Sequence, residues 1–124
     1  MNVLEGTVKF VNLVEHAEYN GQSTGAYDIT VALDDETAQT LADKGVRLKT
    51  YKGEQQRKFK SKFEVKTFDA EGQPIAPGEI QWGDKVRLKF AYGNEHPQWG
   101  TTCYVNAVKL LEKGEANDED SGDF

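Results

Sequence analysis

The sequence has few of the features that mark secreted, membrane or disulfide-bonded proteins. Its single cysteine, Cys103, cannot pair within the chain, which is typical of a reducing cytoplasm. No apolar run approaches the ~20 residues of a membrane helix. The N-terminus lacks the basic stretch and long apolar run of a signal peptide. We therefore expect a cytoplasmic protein without a membrane partner.

Motifs for catalysis are also missing. The two histidines, His16 and His96, are far apart and have no nearby cysteine or histidine to complete a metal site. The sequence has no GxxxxGK phosphate loop and no GxSxG nucleophile elbow. Acidic residues concentrate in a predicted helix and at the C-terminus, where they are typical of a cap and a solvated end. We expect no enzymatic activity, no metal and no cofactor.

Charge is distributed unevenly along the 124 residues, although the net charge is only −6. Residues 112–124 hold six acids and one lysine, whereas residues 44–66 hold nine bases and two acids. The chain thus combines a nearly neutral body, a basic stripe and an acidic end. Such asymmetry indicates binding to a polyanion more clearly than the total charge does.

Alternating apolar and polar residues predict a mostly β protein. The predicted strands are residues 6–14, 26–33, 46–52, 57–68, 84–92 and 101–111. In 6–14 the alternation slips midway, which predicts a β-bulge. Residues 34–45 predict a short helix with Asp34 or Asp35 as N-cap and Lys44–Gly45 at its end. Residues 69–79 form a turn-rich connection.

Five or six strands and one short helix in about 110 residues predict a small β-barrel, and an OB-fold is the leading candidate. An SH3-like barrel is the alternative, because alternation does not reveal strand order. We expect one all-β domain over residues 1–111, followed by a disordered acidic tail over residues 112–124.

Three of the predicted strands carry basic side chains on one face and apolar side chains on the other. Strand geometry spaces alternate residues about 7 Å apart, close to the phosphate spacing of an extended single strand. The alternative is a solvated outer face whose lysines discourage edge pairing. The predicted phosphate contacts are Arg47, Lys49, Lys58, Lys60, Lys62, Lys66, Lys85, Arg87 and Lys89.

Aromatic residues supply the second requirement for single-stranded nucleic acid, because bases stack on exposed rings. We predict Phe59, Phe63 and Phe90 in the core and Trp82 as a packing residue. Trp99 fits either a stacking platform or a plug of the barrel. The predicted stacking residues are Tyr19, Tyr51, Phe68, Tyr92 and Trp99.

Three stretches carry a resemblance to a known family: WGDKVRLKFAY (82–92), WGTTCYVNAVKLLE (99–112) and DEDSGDF (118–124). Together with the strand plan, they resemble the single-stranded DNA-binding proteins of phage replication, in particular the gene-2.5-type family. The resemblance implies an OB-fold that protects single-stranded DNA during phage replication, recombination or repair, in the cytoplasm of a bacterial host. The chain is shorter than larger members, so the resemblance does not settle whether it is a monomer or a homodimer.

The resemblance also implies a role for the acidic tail. The tail would compete with DNA for the basic surface and, once displaced, would recruit a replicative DNA polymerase and a primase–helicase. The terminal phenylalanine would serve as an apolar anchor. The residues predicted to dock partners are Asp118, Glu119, Asp120, Asp123 and Phe124. A plain solubility tail is the alternative.

Two other functions stay open from the sequence. One is an RNA-binding barrel of cold-shock type, although we find no compact aromatic cluster of the RNP kind. The other is an adaptor barrel that binds no nucleic acid.

Overall fold

The computed structural model describes residues 2–114 of the chain. The helix α1 covers Asp35–Asp43, and a 3-10 turn covers Pro77–Glu79. The strands are β1 (Asn2–Asn12), β2 (Glu18–Tyr19), β3 (Gln22–Ser23), β4 (Tyr27–Leu33), β5 (Lys49–Tyr51), β6 (Glu54–Ser61), β7 (Lys66–Phe68), β8 (Lys85–His96) and β9 (Gly100–Glu112). Neither helical segment within residues 2–114 has the length and apolar character of a membrane span.

Five long strands close into a ring in the order β6-β4-β1-β8-β9, and β9 pairs again with β6. The β6–β9 pair is parallel, whereas the other four pairs of the ring are antiparallel. This is the Greek-key barrel of an OB-fold, so the predicted all-β fold class is confirmed. The short β2–β3 hairpin lies in the β1–β4 connection, outside the predicted strands.

The barrel interior is filled from the alternating strands. Phe59 of β6 and Phe90 of β8 meet edge to face, with ring centroids 5.2 Å apart. On β8 the apolar residues Val86, Leu88 and Phe90 are buried, while the intervening basic residues are exposed. The predicted two-faced pattern of this strand is therefore confirmed. Cys103 is buried on β9, as expected of a small apolar residue.

The predicted strand over residues 57–68 is broken, because β6 ends at Ser61 and β7 begins at Lys66. The Ser61 hydroxyl donates to the Phe63 carbonyl at 2.6 Å and accepts from the Phe63 N–H at 3.2 Å, which closes a turn. Phe63 is consequently 81% exposed. The prediction that Phe63 lies in the core was wrong, since the turn takes residue 63 out of the alternation, which resumes at the buried Val65 and Thr67.

The predicted bulge in β1 is confirmed, because the β1–β4 register shifts between Val8 and Phe10. Leu4 and Val8 point into the barrel before the bulge, and Leu13 points inward after it. Phe10 would share the inward face of Leu4 and Val8 in a regular strand. The bulge reverses that parity, so Phe10 faces out and is 65% exposed.

Helix α1 begins and ends close to the predicted positions. The Asp34 carboxylate is the N-cap and accepts from the Thr37 N–H at 2.7 Å. Hydrogen bonding from the backbone and side chain of Thr37 lowers the pKa of Asp34 below its ordinary value of 3.8. At the other end Lys44 is the C-cap, and Gly45 takes the left-handed conformation, φ +82°, that favours glycine.

Candidate nucleic-acid interface

A groove crosses the outer faces of β1, β4 and β6, and we call it the first groove. Two rows of paired residues form its floor: Phe10–Thr30–Lys58 and Asn12–Asp28–Lys60. Residues directly opposite each other on neighbouring strands point to the same side of the sheet. The groove is lined by Phe10, Asn12, Ala17, Glu18, Tyr19, Thr24, Asp28, Thr30, Arg47, Lys49, Gln56, Arg57, Lys58 and Lys60.

Cations in the first groove are only partly neutralised. Lys58 Nζ lies 3.9 Å from Asp28 Oδ2, and Asp28 also accepts a hydrogen bond from the Asn12 side chain at 2.9 Å. Within residues 2–114, Arg47, Lys49 and Lys60 make no ion pair at 4.0 Å or less. The groove therefore presents several ammonium and guanidinium groups that are available to an external anion.

Two exposed aromatic rings border the same groove. Tyr19, a predicted stacking residue, lies on the β2–β3 hairpin and is 74% exposed. Phe10 was not among the predicted stacking residues. The slip in the alternation of residues 6–14 was the signal that could have found it, because a bulge at that point turns Phe10 outward. The groove thus combines rings with cations, as binding of single-stranded nucleic acid requires.

Arg57 fixes one end of the first groove. Its guanidinium donates to the Arg47 carbonyl at 2.9 Å and to the Thr101 carbonyl at 3.3 Å. The Thr101 hydroxyl in turn donates to the Lys44 carbonyl at 2.8 Å. These bonds hold the β8–β9 hairpin against the α1–β5 connection. Burial raises the pKa of the nearby Cys103 thiol, and Arg57 only partly opposes that shift, so the thiol is held neutral.

Trp99 extends from this β8–β9 hairpin and is 69% exposed. Its ring stacks on His96, with centroids 5.9 Å apart and planes 26° apart. The exposure excludes the barrel-plug alternative. The next residue, Gly100, lies so close to Arg47 that an added Cβ would come within 2.9 Å of Arg47 Cγ. The chain next to Trp99 thus lies beside Arg47, but Trp99 itself does not line the first groove.

The structure does not bring all the predicted site residues together. Lys66, Phe68, Arg87 and Lys89 line a second groove, on the outer face of β1, β7, β8 and β9. Lys62 is exposed in the β6–β7 turn, and Lys85 pairs in register with Glu112 at the end of β9. These two lysines line neither groove.

Three further aromatic residues also lie outside the two grooves. Tyr51 is exposed, with Lys52 Nζ 5.5 Å from its ring centroid. Tyr92, expected at a strand end, lies within β8 and packs against Phe90 with centroids 5.3 Å apart, and its partial burial raises the pKa of its hydroxyl. Trp82, expected to be packed, is about half exposed with Lys9 Nζ 5.7 Å from its ring.

The chain is anchored where it leaves the barrel. Asp84 is fully buried and accepts from Lys113 Nζ and from the Gly114 N–H, each at 2.8 Å. The predicted partner-docking residues Asp118, Glu119, Asp120, Asp123 and Phe124 lie outside the described residues.

The fold and the first groove together define an OB-type barrel with a basic, aromatic face. Neither the family models nor the curated sequences compared with this chain match it.

Solved structures do match this chain. The single-stranded DNA-binding protein of bacteriophage Enc34 in complex with ssDNA has a TM-score of 0.68 at 12% identity, over 91% of this chain and 88% of that chain. Its C-terminal truncation has a TM-score of 0.62 at 10% identity, over 91% and 87%. The single-stranded DNA-binding protein gp2.5 of bacteriophage T7 has a TM-score of 0.59 at 12% identity, over 95% and 97%. The chain therefore shares the fold of phage single-stranded DNA-binding proteins, in agreement with the resemblance seen in the sequence.

Proposed function

We propose that this protein binds single-stranded DNA without sequence preference and without catalysis, through the first groove. The observation that carries the proposal is the row Phe10–Thr30–Lys58, which places a ring and an ammonium group on one outward face of an OB barrel. The strands 2–3 face of an OB-fold is its usual surface for oligonucleotides, and here those strands are β4 and β6. The structural neighbours named above support the choice of ligand.

Stacking and phosphate contacts both explain a lack of sequence preference. Every base has a π-face for Phe10 or Tyr19, and every nucleotide supplies a phosphate for the groove cations. Counterion release then makes binding strongly dependent on salt. An RNA-binding barrel would use the same chemistry, whereas an adaptor barrel would need neither the cations nor the rings.

The biological setting that we propose is phage DNA replication, recombination or repair in the cytoplasm of a bacterial host. A domain over residues 1–111 would cover the DNA, and the acidic tail over residues 112–124 would recruit a replicative polymerase and a primase–helicase. The proposal rests on the resemblance of DEDSGDF to phage proteins and on the five acids and terminal phenylalanine of residues 115–124.

The test compares binding of oligo-dT, oligo-U and duplex DNA across a range of salt. We expect tight, salt-sensitive binding to oligo-dT and weaker binding to duplex. In Lys58→Ala/Lys60→Ala, two lost phosphate contacts should lower the log–log salt slope by about 1.4, at ~0.7 per contact. The variant Lys58→Arg/Lys60→Arg keeps the charge and should keep the slope.

Each contrary outcome identifies a different error. Preference for oligo-U would favour the RNA-binding alternative. No measurable binding to any of the three ligands would favour the adaptor. Normal oligo-dT binding with an unchanged slope in the alanine variant would place the interface away from the first groove.

A further inference from the structure

The second groove is built from two rows of residues that cross four strands. One row is Val3–Lys89–Ala107–Lys66, and the other is Glu5–Arg87–Lys109–Phe68. Each row runs through β1, β8, β9 and β7. The second groove is lined by Val3, Lys66, Phe68, Arg87, Lys89, Ala107 and Lys109. Four cations therefore surround a floor of apolar groups.

This arrangement is unfavourable for folding alone. Arg87 and Lys109 lie directly opposite each other on β8 and β9, and like charges at such positions destabilise a sheet. Glu5 offsets the charge of Arg87 only, through an ion pair of 2.8 Å between Glu5 Oε2 and Arg87 Nη2. Within residues 2–114, Lys66, Lys89 and Lys109 have no ion-pair partner at 4.0 Å or less. Lysines that discourage edge pairing would account for Lys66 on the edge strand β7. Lys89 and Lys109 lie on the interior strands β8 and β9, where that reason does not apply and an external polyanion gives one.

The two grooves are linked along the chain and across the barrel surface. Lys60 pairs with Tyr104 of β9, and Lys66 pairs with Ala107 three residues further along the same strand. The two lysines are thus about 10 Å apart along β9. The β6–β7 turn lies between them in the chain and carries the exposed residues Lys62 and Phe63.

We propose that the second groove binds a further segment of the same DNA strand that occupies the first groove, so that the strand passes over the β6–β7 turn. This inference rests on the proposed function. Lys66, Lys89 and Lys109 hold phosphates of that further segment, and the apolar floor of Val3 and Phe68 lies beneath the sugars and bases. Continuity with the first groove favours a polynucleotide over an acidic peptide, because a peptide would have no need of the connecting turn.

The experiment uses the full chain and oligo-dT of two lengths, about 6 and about 16 nucleotides, which lie near the two ends of the ~4–16 nucleotides bound per OB-fold. Affinity is measured over a range of salt. For Lys66→Gln/Lys89→Gln/Lys109→Gln, we expect the salt slope of the long strand to fall by roughly 2, at ~0.7 for each lost phosphate contact. Binding of the short strand should be unchanged.

Two variants serve as matched controls. Lys58→Ala/Lys60→Ala removes cations from the first groove and should weaken binding of both lengths. Lys66→Arg/Lys89→Arg/Lys109→Arg keeps the charge of the second groove and should bind the long strand as the parent protein does, which separates loss of charge from loss of structure.

Three results would overturn the proposal. Equal losses on both lengths in the glutamine variant would mean that the lysines act on the first groove. No loss on either length would mean that DNA does not reach the second groove. A peptide of residues 115–124 that binds the parent protein but not the glutamine variant, with long-strand binding unaffected, would assign the groove to an acidic peptide. Failure of the parent protein to bind even the short strand would instead remove the proposed function itself, and this inference with it.

Discussion

A single residue, Phe10, shows how one irregularity of the backbone creates a candidate binding residue. A bulge between Val8 and Phe10 moves this ring from the inward to the outward side of β1. A large exposed ring contributes little to the core, and it is accessible to a ligand. In the first groove it lies in register with Thr30 and, through Thr30, with Lys58.

Phe10→Ala should weaken oligo-dT binding by about 1–3 kcal/mol, the usual contribution of a stacked base. The thermal unfolding midpoint should change little, because the side chain is exposed. Val14→Ala is the matched control, since Val14 has the same exposed fraction, 65%, but lies outside both grooves. Fluorescence anisotropy of a labelled oligonucleotide measures both variants. Equal affinities for the two variants would remove Phe10 from the interface.

At the scale of the element, the break between β6 and β7 decides where the basic residues of 57–68 lie. Before the break, Lys58 and Lys60 face the first groove; after it, Lys66 belongs to the second. Helix α1 lines neither groove. It spans the connection between β4 and β5, and its cap makes its stability depend on pH.

The Asp34 cap should stabilise the fold in a window that its lowered pKa defines. A carboxylate with a folded pKa below its unfolded value stabilises fully above the unfolded pKa, near 3.8, and loses that effect as pH falls through the folded pKa. Asp34→Ala should therefore lower the free energy of unfolding at pH 7, with a smaller loss near pH 3. Asp34→Asn retains a good cap without a titrating group and should show a smaller loss at pH 7. Urea denaturation at the two pH values measures this, and equal losses for Asp34→Ala at both would contradict the role of the charged cap.

On the scale of the whole molecule, the charge is divided between a barrel with basic grooves and an acidic end. Residues 115–124 carry five acids and no base. The ion pair of Lys113 with Asp84 fixes the point from which these residues start. A truncation that begins at residue 115 therefore leaves that anchor intact, whereas one that begins at residue 112 would unpair a buried carboxylate.

Deleting residues 115–124 should strengthen oligo-dT binding, most clearly at low salt, because it removes the proposed acidic competitor for the grooves and screening is weakest there. Deleting Phe124 alone keeps every side-chain acid, so DNA affinity should barely change, while binding to a replicative polymerase or primase–helicase should fall. Oligonucleotide affinity and a pull-down with those partners are measured for each variant. If the long deletion alters only solubility and the short one alters nothing, the tail is a solvating appendage.

The sequence by itself determined what depends on local patterns. Period-2 alternation placed Val86, Leu88 and Phe90 inside and their basic neighbours outside, and the acids at the start of residues 34–45 limited the helix N-cap to Asp34 or Asp35. The tertiary structure decided what depends on contacts between distant strands. It closed the ring through the parallel β6–β9 pair and buried Tyr92 in part against Phe90. Phe63 was mispredicted for a local reason, because its hydrogen bonds with Ser61 take it out of the alternation. The tertiary structure also divided one predicted basic surface into two grooves, because strand order fixes which outward faces adjoin, and alternation carries no information about strand order.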